Sequence, residues 1–262
     1  FGAFTGIDIQ GEVRGLLPST EWKRKAYKRP EQQKWYAGET ISLGIGQGYN
    51  NFTMLQLALA TGVIANDGIK MKPHLVKEVV DVVTRTSRET LREIKAEAIA
   101  DPKNIAVIRN ALVGVNTEGT GATAFRGAGY VAAGKTGTAQ VVAIKQNEKY
   151  NAARMAERLR DHALYMAFAP ADKPKIALAM VVENAGFGGA MAAPIARRVF
   201  DYWLLGQSPT PEDMAAVQKG QARPPPGAPR PPASAASAPA SASTATPPMA
   251  AAASAVKTQP TP

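Results

Sequence analysis

The sequence predicts a mixed α/β (α+β) domain built on an antiparallel sheet, and three observations carry that expectation. Two apolar runs, 162–169 and 175–183, are parted only by Pro170-Ala171-Asp172-Lys173-Pro174, which reads as a tight hairpin. A third β-rich run, 130–144, lies just upstream. Behind all three, Ala192 to Leu205 reads as a closing helix after the glycine-rich Gly186-Phe187-Gly188-Gly189.

The remaining elements follow in chain order. Thr53 is placed to cap a helix that runs to about Asn66, where Asp67-Gly68 closes it. Lys70 to Thr84 alternates through Val76, Val79 and Val82 and reads as extended hairpin material. Asp101 followed by Pro102 is an N-cap with proline in the first turn, and Ile105, Ile108, Leu112 and Val115 continue that helix on one face. Polar Lys145 to Asp161 is expected to be a long excursion, helical over Ala153–Arg160.

Composition sets outer limits. Of the 20 prolines, 13 fall after residue 208, among alanine and serine. Such a stretch cannot bury enough side chain to offset the entropy of ordering. The expected organisation is therefore a folded part, 1–205, and a disordered Pro/Ala/Ser-rich tail, 206–262. With no cysteine, disulfides, a thiolate nucleophile and a cysteine zinc site are excluded. No run approaches the roughly 20 apolar residues of a membrane span. The net charge of +10 owes much to Lys23-Arg24-Lys25, Lys28-Arg29 and Lys34, which read first as a solvated basic loop. Trp22, Tyr27, Trp35 and Tyr36 interleave as stacking candidates, but no recognition motif accompanies them, and no nucleic-acid partner is expected.

The chemically pointed segment is Gly134-Lys135-Thr136-Gly137-Thr138-Ala139-Gln140. Counted from Gly129 it fits the phosphate-binding pattern G-x-x-x-x-G-K-[ST]. That loop needs a glycine-rich turn opening directly into a helix. Tyr130-Val131-Ala132-Ala133 and the β-branched run after Lys135 suit a strand instead, so an ATPase is a remote alternative. Lys135-Thr136-Gly137 also matches the K-T-G triplet of serine acyltransferases that react with β-lactams.

Other stretches reinforce the second reading. Phe4-Thr5-Gly6-Ile7-Asp8, Gly15-Leu16-Leu17-Pro18 and Trp35-Tyr36-Ala37-Gly38-Glu39-Thr40 come first. Thr40-Ile41-Ser42-Leu43-Gly44-Ile45-Gly46-Gln47-Gly48 and Thr53-Met54-Leu55-Gln56-Leu57-Ala58 follow, then Glu118-Gly119-Thr120-Gly121 and Ala192-Ala193-Pro194-Ile195-Ala196. In this order, from Phe1 to about Leu205, they resemble the C-terminal portion of the transpeptidase domain of class B, elongation-type penicillin-binding proteins. The resemblance implies the penicillin-recognising serine transpeptidase/β-lactamase-like fold, incomplete at its N-terminus.

It also implies a D,D-transpeptidase that cross-links peptidoglycan stem peptides during cell-wall elongation and is acylated by β-lactams. The implied partners are stem peptides and their lipid-linked precursor, β-lactam antibiotics, a membrane glycan polymerase and an elongation complex. The implied location is the inner membrane with the catalytic domain in the periplasm, and no cofactor or metal is called for. By the same resemblance Lys135 and Thr138 are the catalytic candidates, and Lys135, Thr136, Gly137 and Thr138 bind substrate. Lys135 would place a cation beside the nucleophile network and attract the terminal carboxylate. Thr136 and Thr138 would offer hydroxyls to it, and the Thr138 amide would supply half an oxyanion hole. Gly137 would let the substrate backbone approach the strand edge.

The family's other two motifs, Ser-x-x-Lys and Ser-x-Asn, are not found ahead of Lys135. Ser254-Ala255-Val256-Lys257 sits in the low-complexity tail, and Tyr49-Asn50-Asn51 only mimics a Tyr-x-Asn variant. The nucleophile-bearing helices are expected upstream, and these residues alone are not expected to acylate. A non-catalytic penicillin-recognising binding or sensor module is the alternative. His74 and His162 have no serine near them and read as packed or surface histidines, Glu183 as a strand terminus, and Asn184 to Gly189 as a cleft rim.

Overall fold

The computed structural model describes residues 1–89, 97–98, 101–142 and 150–218. Three short helices lead: α1 (Thr20–Ala26), α2 (Pro30–Gln33) and α3 (Ala37–Gly44). Next come α4 (Met54–Ala65), the short strands β1 (Ile69–Lys70), β2 (Glu78–Val80), β3 (Ser87–Glu89) and β4 (Glu97–Ala98), and the long helix α5 (Pro102–Thr117). The turn of helix α6 (Ala122–Phe125) precedes β5 (Ala133–Ala139), β6 (His162–Ala169) and β7 (Ile176–Val182). Helices α7 (Gly188–Leu205) and α8 (Pro211–Gln218) end the described chain.

The central sheet is antiparallel in the order β5-β6-β7. Side chains alternate across it. One face carries Ala163, Tyr165 and Ala167 of β6, which pack under Ala192, Ala193, Ala196 and Phe200 of α7. The other carries Ala133, Phe168 and Ala177, which pack against Ile64 of α4 and Leu112 of α5. Alanines on each face, Ala163 and Ala167 under α7 and Ala133 and Ala177 under α4 and α5, let helices sit close, so the sheet is the middle of three layers.

Both expected helix starts hold for stated reasons. Thr53 Oγ1 accepts from Gln56 N at 3.1 Å and Gln56 Oε1 accepts from Thr53 N at 3.1 Å, a reciprocal cap on α4. Asp101 Oδ1 accepts from Lys103 N at 2.8 Å with Pro102 in the first turn of α5. On α5, Ile105 is buried but Ile108 is exposed, so the apolar face is narrower than the sequence pattern suggested.

Other expectations shift. The hairpin expected over 70–84 forms later, between β2 and β3, while Lys70 belongs to β1 and pairs with β4. Asp81 fixes the later turn, accepting from Val83 N and Thr84 N at 2.8 Å each. The excursion before β6 contains two 3₁₀ turns, Ala152–Arg154 and Glu157–Leu159, in place of a helix over 153–160. Helix α7 starts at Gly188 rather than Ala192, and its two leading glycines lie against the sheet. The chain continues in described structure past 206: Asp213 of α8 pairs with Arg198 of α7. Residues 219–262, most of the expected disordered tail, lie outside the described residues, as does the 143–144 end of the strand expected over 130–144; that strand is shorter than expected and spans Ala133–Ala139.

The basic cluster is not uniformly solvated. Lys23 is only 3% exposed, and its ammonium donates to Lys34 O at 2.7 Å and to the Glu39 carboxylate. The rings of Tyr27, Trp35, Tyr36 and Tyr49 stand 5.1–6.0 Å from it. Aromatic faces and one carboxylate thus replace water around the cation. The interleaved aromatics serve this box, with Trp22 packing on Tyr27 and Tyr49.

Glu39 also accepts from Tyr36 N at 2.8 Å and from Tyr49 Oη at 2.9 Å. The Lys23 hydrogen bond, then the Tyr36 amide, hold its carboxyl below the ordinary glutamate value. A carboxyl whose value is depressed on folding stabilises the fold above its unfolded value and loses that contribution as pH falls through the folded one. Melting curves of wild type and Glu39→Gln should therefore differ most near neutrality and converge below about pH 4. A gap between them that stays constant in acid would show that ionised Glu39 is not what ties this box together.

Candidate functional site

Lys135, Thr136, Gly137 and Thr138 all lie on β5, the edge strand of the central sheet. Their register is fixed by β6: Lys135 faces Met166, Thr136 faces Tyr165, Gly137 faces Leu164 and Thr138 faces Ala163. Since β5 continues as a strand to Ala139, no helix opens after Thr136, and the phosphate-loop reading fails on geometry.

The edge itself is polarised. Lys135 Nζ donates to Thr136 O at 2.7 Å, and Gln47 Nε2 donates to Thr138 O at 2.7 Å. Both carbonyls must face away from β6 to be reached. In an antiparallel pair a residue's N–H and C=O point the same way, so the Thr136 and Thr138 N–H groups also face the open edge. The hydroxyls sit on the α7 face, where Thr120 Oγ1 and Thr136 Oγ1 are 2.6 Å apart. Lys135 is exposed, and Thr136, Gly137 and Thr138 are half-buried.

Three supports hold this strand. Asn116 of α5, buried, donates Nδ2 to Ala132 O at 3.0 Å and accepts from Tyr165 Oη at 2.8 Å. Burial pushes the Tyr165 phenol well above its ordinary value, so it remains a neutral donor. The second support is the N-terminal turn of α7, which approaches so closely that a β-carbon on Gly188 would lie 2.1 Å from Leu164 O and 2.4 Å from Gly137 O. A β-carbon on Gly189 would lie 2.5 Å from Thr120 O. The demand for glycine is thus sharper at Gly188 than at Gly137, whose own β-carbon would meet Leu164 Cβ at 3.3 Å.

The third support stands further back. Arg197, 1% exposed, donates Nε to Asp201 Oδ1 at 2.6 Å and Nη1 to Ala124 O at 3.2 Å. Tyr130 Oη donates to the same Asp201 oxygen at 2.9 Å. Burial, then the Asp201 charge, raises the Tyr130 phenol, which keeps it protonated for that bond. The group clamps α7 to the segment that leads into β5.

Other sequence candidates lie elsewhere. His162 Nδ1 accepts from Asn184 N at 2.9 Å and His74 Nδ1 meets Val76 O at 3.1 Å, so both imidazoles serve backbone contacts. Glu183 is exposed just beyond β7. Of the expected rim 184–189, Gly188 and Gly189 do reach β5, and Phe187 beside them is 72% exposed. Gln47, Thr120 and Asn116 were given no role from sequence, although the first two stand inside the motif stretches. Among the described residues no group of His, Cys, Asp and Glu is arranged to hold a metal ion.

Comparison with known proteins gives a consistent picture. Residues 1–201 match a family model described as the penicillin binding protein transpeptidase domain. The chain is 45% identical over 215 residues to the peptidoglycan D,D-transpeptidase MrdA of Haemophilus influenzae, a match covering 81% of this chain and 32% of that protein. It is 43% identical to MrdA of Acinetobacter baumannii, covering 80% and 30%. The fold is similar to that of Pseudomonas aeruginosa PBP2 in complex with WCK 5153, with TM-score 0.63 and 37% identity, covering 81% of this chain and 42% of that one. It is also similar to Helicobacter pylori PBP2 in its complex with MreC, with TM-score 0.58 and 29% identity, covering 79% and 34%. The chain spans about a third of the length of the curated relatives it matches.

Proposed function

The chain belongs to the penicillin-binding-protein transpeptidase family, and from that membership we propose that it forms the K-T-G-bearing part of a peptidoglycan D,D-transpeptidase. The observation that carries the proposal is the placement of Lys135-Thr136-Gly137-Thr138 on an edge strand with the Thr138 peptide turned outward.

In the whole protein a serine outside these residues attacks the D-Ala-D-Ala carbonyl of a stem peptide. An acyl-enzyme forms, D-Ala departs, and the amine of a neighbouring stem resolves the ester into a cross-link. This part contributes what the attack needs beyond the nucleophile. Lys135 supplies the cation that draws the substrate's terminal carboxylate and favours deprotonation nearby. The Thr138 N–H is aimed where negative charge develops on the attacked oxygen. Thr136 and Thr138 offer hydroxyls to the carboxylate, and Gly137 keeps the strand open to approach. β-Lactams present a similar carbonyl and carboxylate and leave a stalled ester.

The proposed partners are stem peptides and their lipid-linked precursor, β-lactams, a membrane glycan polymerase and an elongation complex. The H. pylori PBP2 complex with MreC supports the last of these. The proposed location is the inner membrane with the catalytic part in the periplasm. No helix among the described residues is long and apolar enough to cross a membrane.

The test is covalent labelling of the whole protein by a fluorescent penicillin. A stable label that survives denaturation is expected, with unlabelled penicillin competing for it. Absence of any covalent label on folded protein would overturn the assignment in favour of a binding or sensor module.

A further inference from the structure

Three cations of the basic cluster, Arg24, Lys28 and Arg29, are exposed, and among the described residues no carboxylate pairs with them. Their neighbours are already engaged: Lys25 Nζ pairs with Glu21 at 2.6 Å, and buried Lys23 pairs with Glu39. Arg24 reaches only its own helix, donating Nε to Thr20 O at 3.3 Å. Arg29 is the N-cap of α2, and its side chain makes no capping bond. A cation there opposes the helix dipole, so the fold gains nothing from its charge. Across 21–34 the one acid besides Glu21 is Glu31.

These charges stand on a braced frame. Trp22 of α1 packs on Tyr49 with ring centroids 5.1 Å apart. Gln33 Nε2 donates to Tyr27 O at 2.9 Å, which closes the connection carrying Lys28 and Arg29. Lys23 ties Lys34 O and Glu39 together. The same frame meets the K-T-G strand: Tyr49 Oη donates to Glu39 at 2.9 Å, and Gln47, two residues earlier, reaches Thr138 O at 2.7 Å. A positive surface is thus carried by the element that contacts the edge of β5.

We propose that Arg24, Lys28 and Arg29 form a docking surface for the substrate polymer, a glycan bearing many stem peptides. This rests on the transpeptidase reading above and adds to it a contact away from the reacting bond. Each uncross-linked stem ends in a free carboxylate, so a strand of them is a polyanion, complementary in charge to this surface. Such cations raise the local concentration of an anionic partner and act over a Debye length, roughly 10 Å at 0.1 M salt. A small single anion such as penicillin gains little from them, and its acylation depends on the site itself.

The experiment compares the whole protein with its Arg24→Gln, Lys28→Gln, Arg29→Gln triple variant. Sedimentation with purified, uncross-linked peptidoglycan strands gives Kd against salt, and a fluorescent penicillin gives the acylation rate. The variant should bind strands about tenfold more weakly at about 50 mM salt, and the difference should vanish near about 0.5 M. Acylation within about twofold of wild type is expected and reports an intact fold. Arg24→Lys, Lys28→Arg, Arg29→Lys, which keeps the charge, should bind like wild type. Strands whose carboxylates have been amidated should not tell the proteins apart.

A triple glutamine variant that binds strands like wild type, or a difference that persists on amidated strands, would overturn the proposal. So would wild-type binding to phosphatidylglycerol vesicles in preference to strands, lost in the variant, because the surface then serves a membrane. Salt-dependent strand binding by a wild type that takes no penicillin label would keep the surface and remove the transpeptidase reading, so the two failures separate.

Discussion

Asp201→Ala is expected to destabilise the folded protein by about 3–5 kcal/mol, the usual cost of leaving one member of a buried ion pair behind. Asp201 is 2% exposed and Arg197 1% exposed, so neither charge has water to fall back on. Removing the carboxylate strands the guanidinium against Ala124, Arg126 and Gly127 carbonyls, and it also takes the acceptor from Tyr130. Arg197→Met should cost a similar amount for the mirrored reason. The double substitution Arg197→Met with Asp201→Leu should recover much of the loss, because the apolar pair strands no charge. Urea denaturation of the whole protein reads all three. Single variants within about 1 kcal/mol of wild type would show that the pair is hydrated and is not the clamp between α7 and β5.

Lys135→Ala is expected to behave in the opposite sense, sparing stability and removing function. Lys135 is exposed, and its ammonium bonds only to the carbonyl of its neighbour Thr136 among the contacts seen. Its loss removes little from the fold, and surface substitutions of this kind stay within about 0.5 kcal/mol. The same cation is asked to receive a carboxylate and to favour serine deprotonation. Acylation by penicillin should therefore fall by about 10²–10³-fold, the scale seen when one preorganised electrostatic group is removed from an acyl-transfer site. Stopped-flow or gel-based labelling gives the rate and a melting curve gives the control. A loss below about threefold with unchanged Tm would take Lys135 out of the mechanism.

The fold was most legible where a local signal had no competitor. His162–Ala169 emerges as β6 with the bounds that its apolar run indicated, and Thr53 and Asp101 cap the helices that their side chains can cap. Helix α7 was misplaced at its start because glycine argues against helix on propensity alone. There the close approach of Gly188 to Gly137 and Leu164 outweighs propensity. The hairpin over 70–84 was drawn too early because alternating valines mark a strand without saying which neighbour it pairs with.

The site was half legible. The K-T-G triplet and the β-rich flanks of Lys135 were enough to place it on a strand and to set aside a phosphate loop. The Gln47 and Thr120 contacts were not visible, since side-chain bonds across 91 and 16 positions leave no period in the sequence. Nor was the burial of Lys23: a lysine among lysines and arginines reads as solvated until a fold brings four aromatic rings around it.

The most direct measurement is the position of the penicillin adduct in the whole protein, found by peptide mass mapping after labelling and digestion. An adduct on a single serine outside residues 1–262, lost or strongly slowed in Lys135→Ala, is the expected result. An adduct on a serine within these residues, or one that forms as fast without Lys135, would contradict the assignment of this strand to the acyl-transfer site.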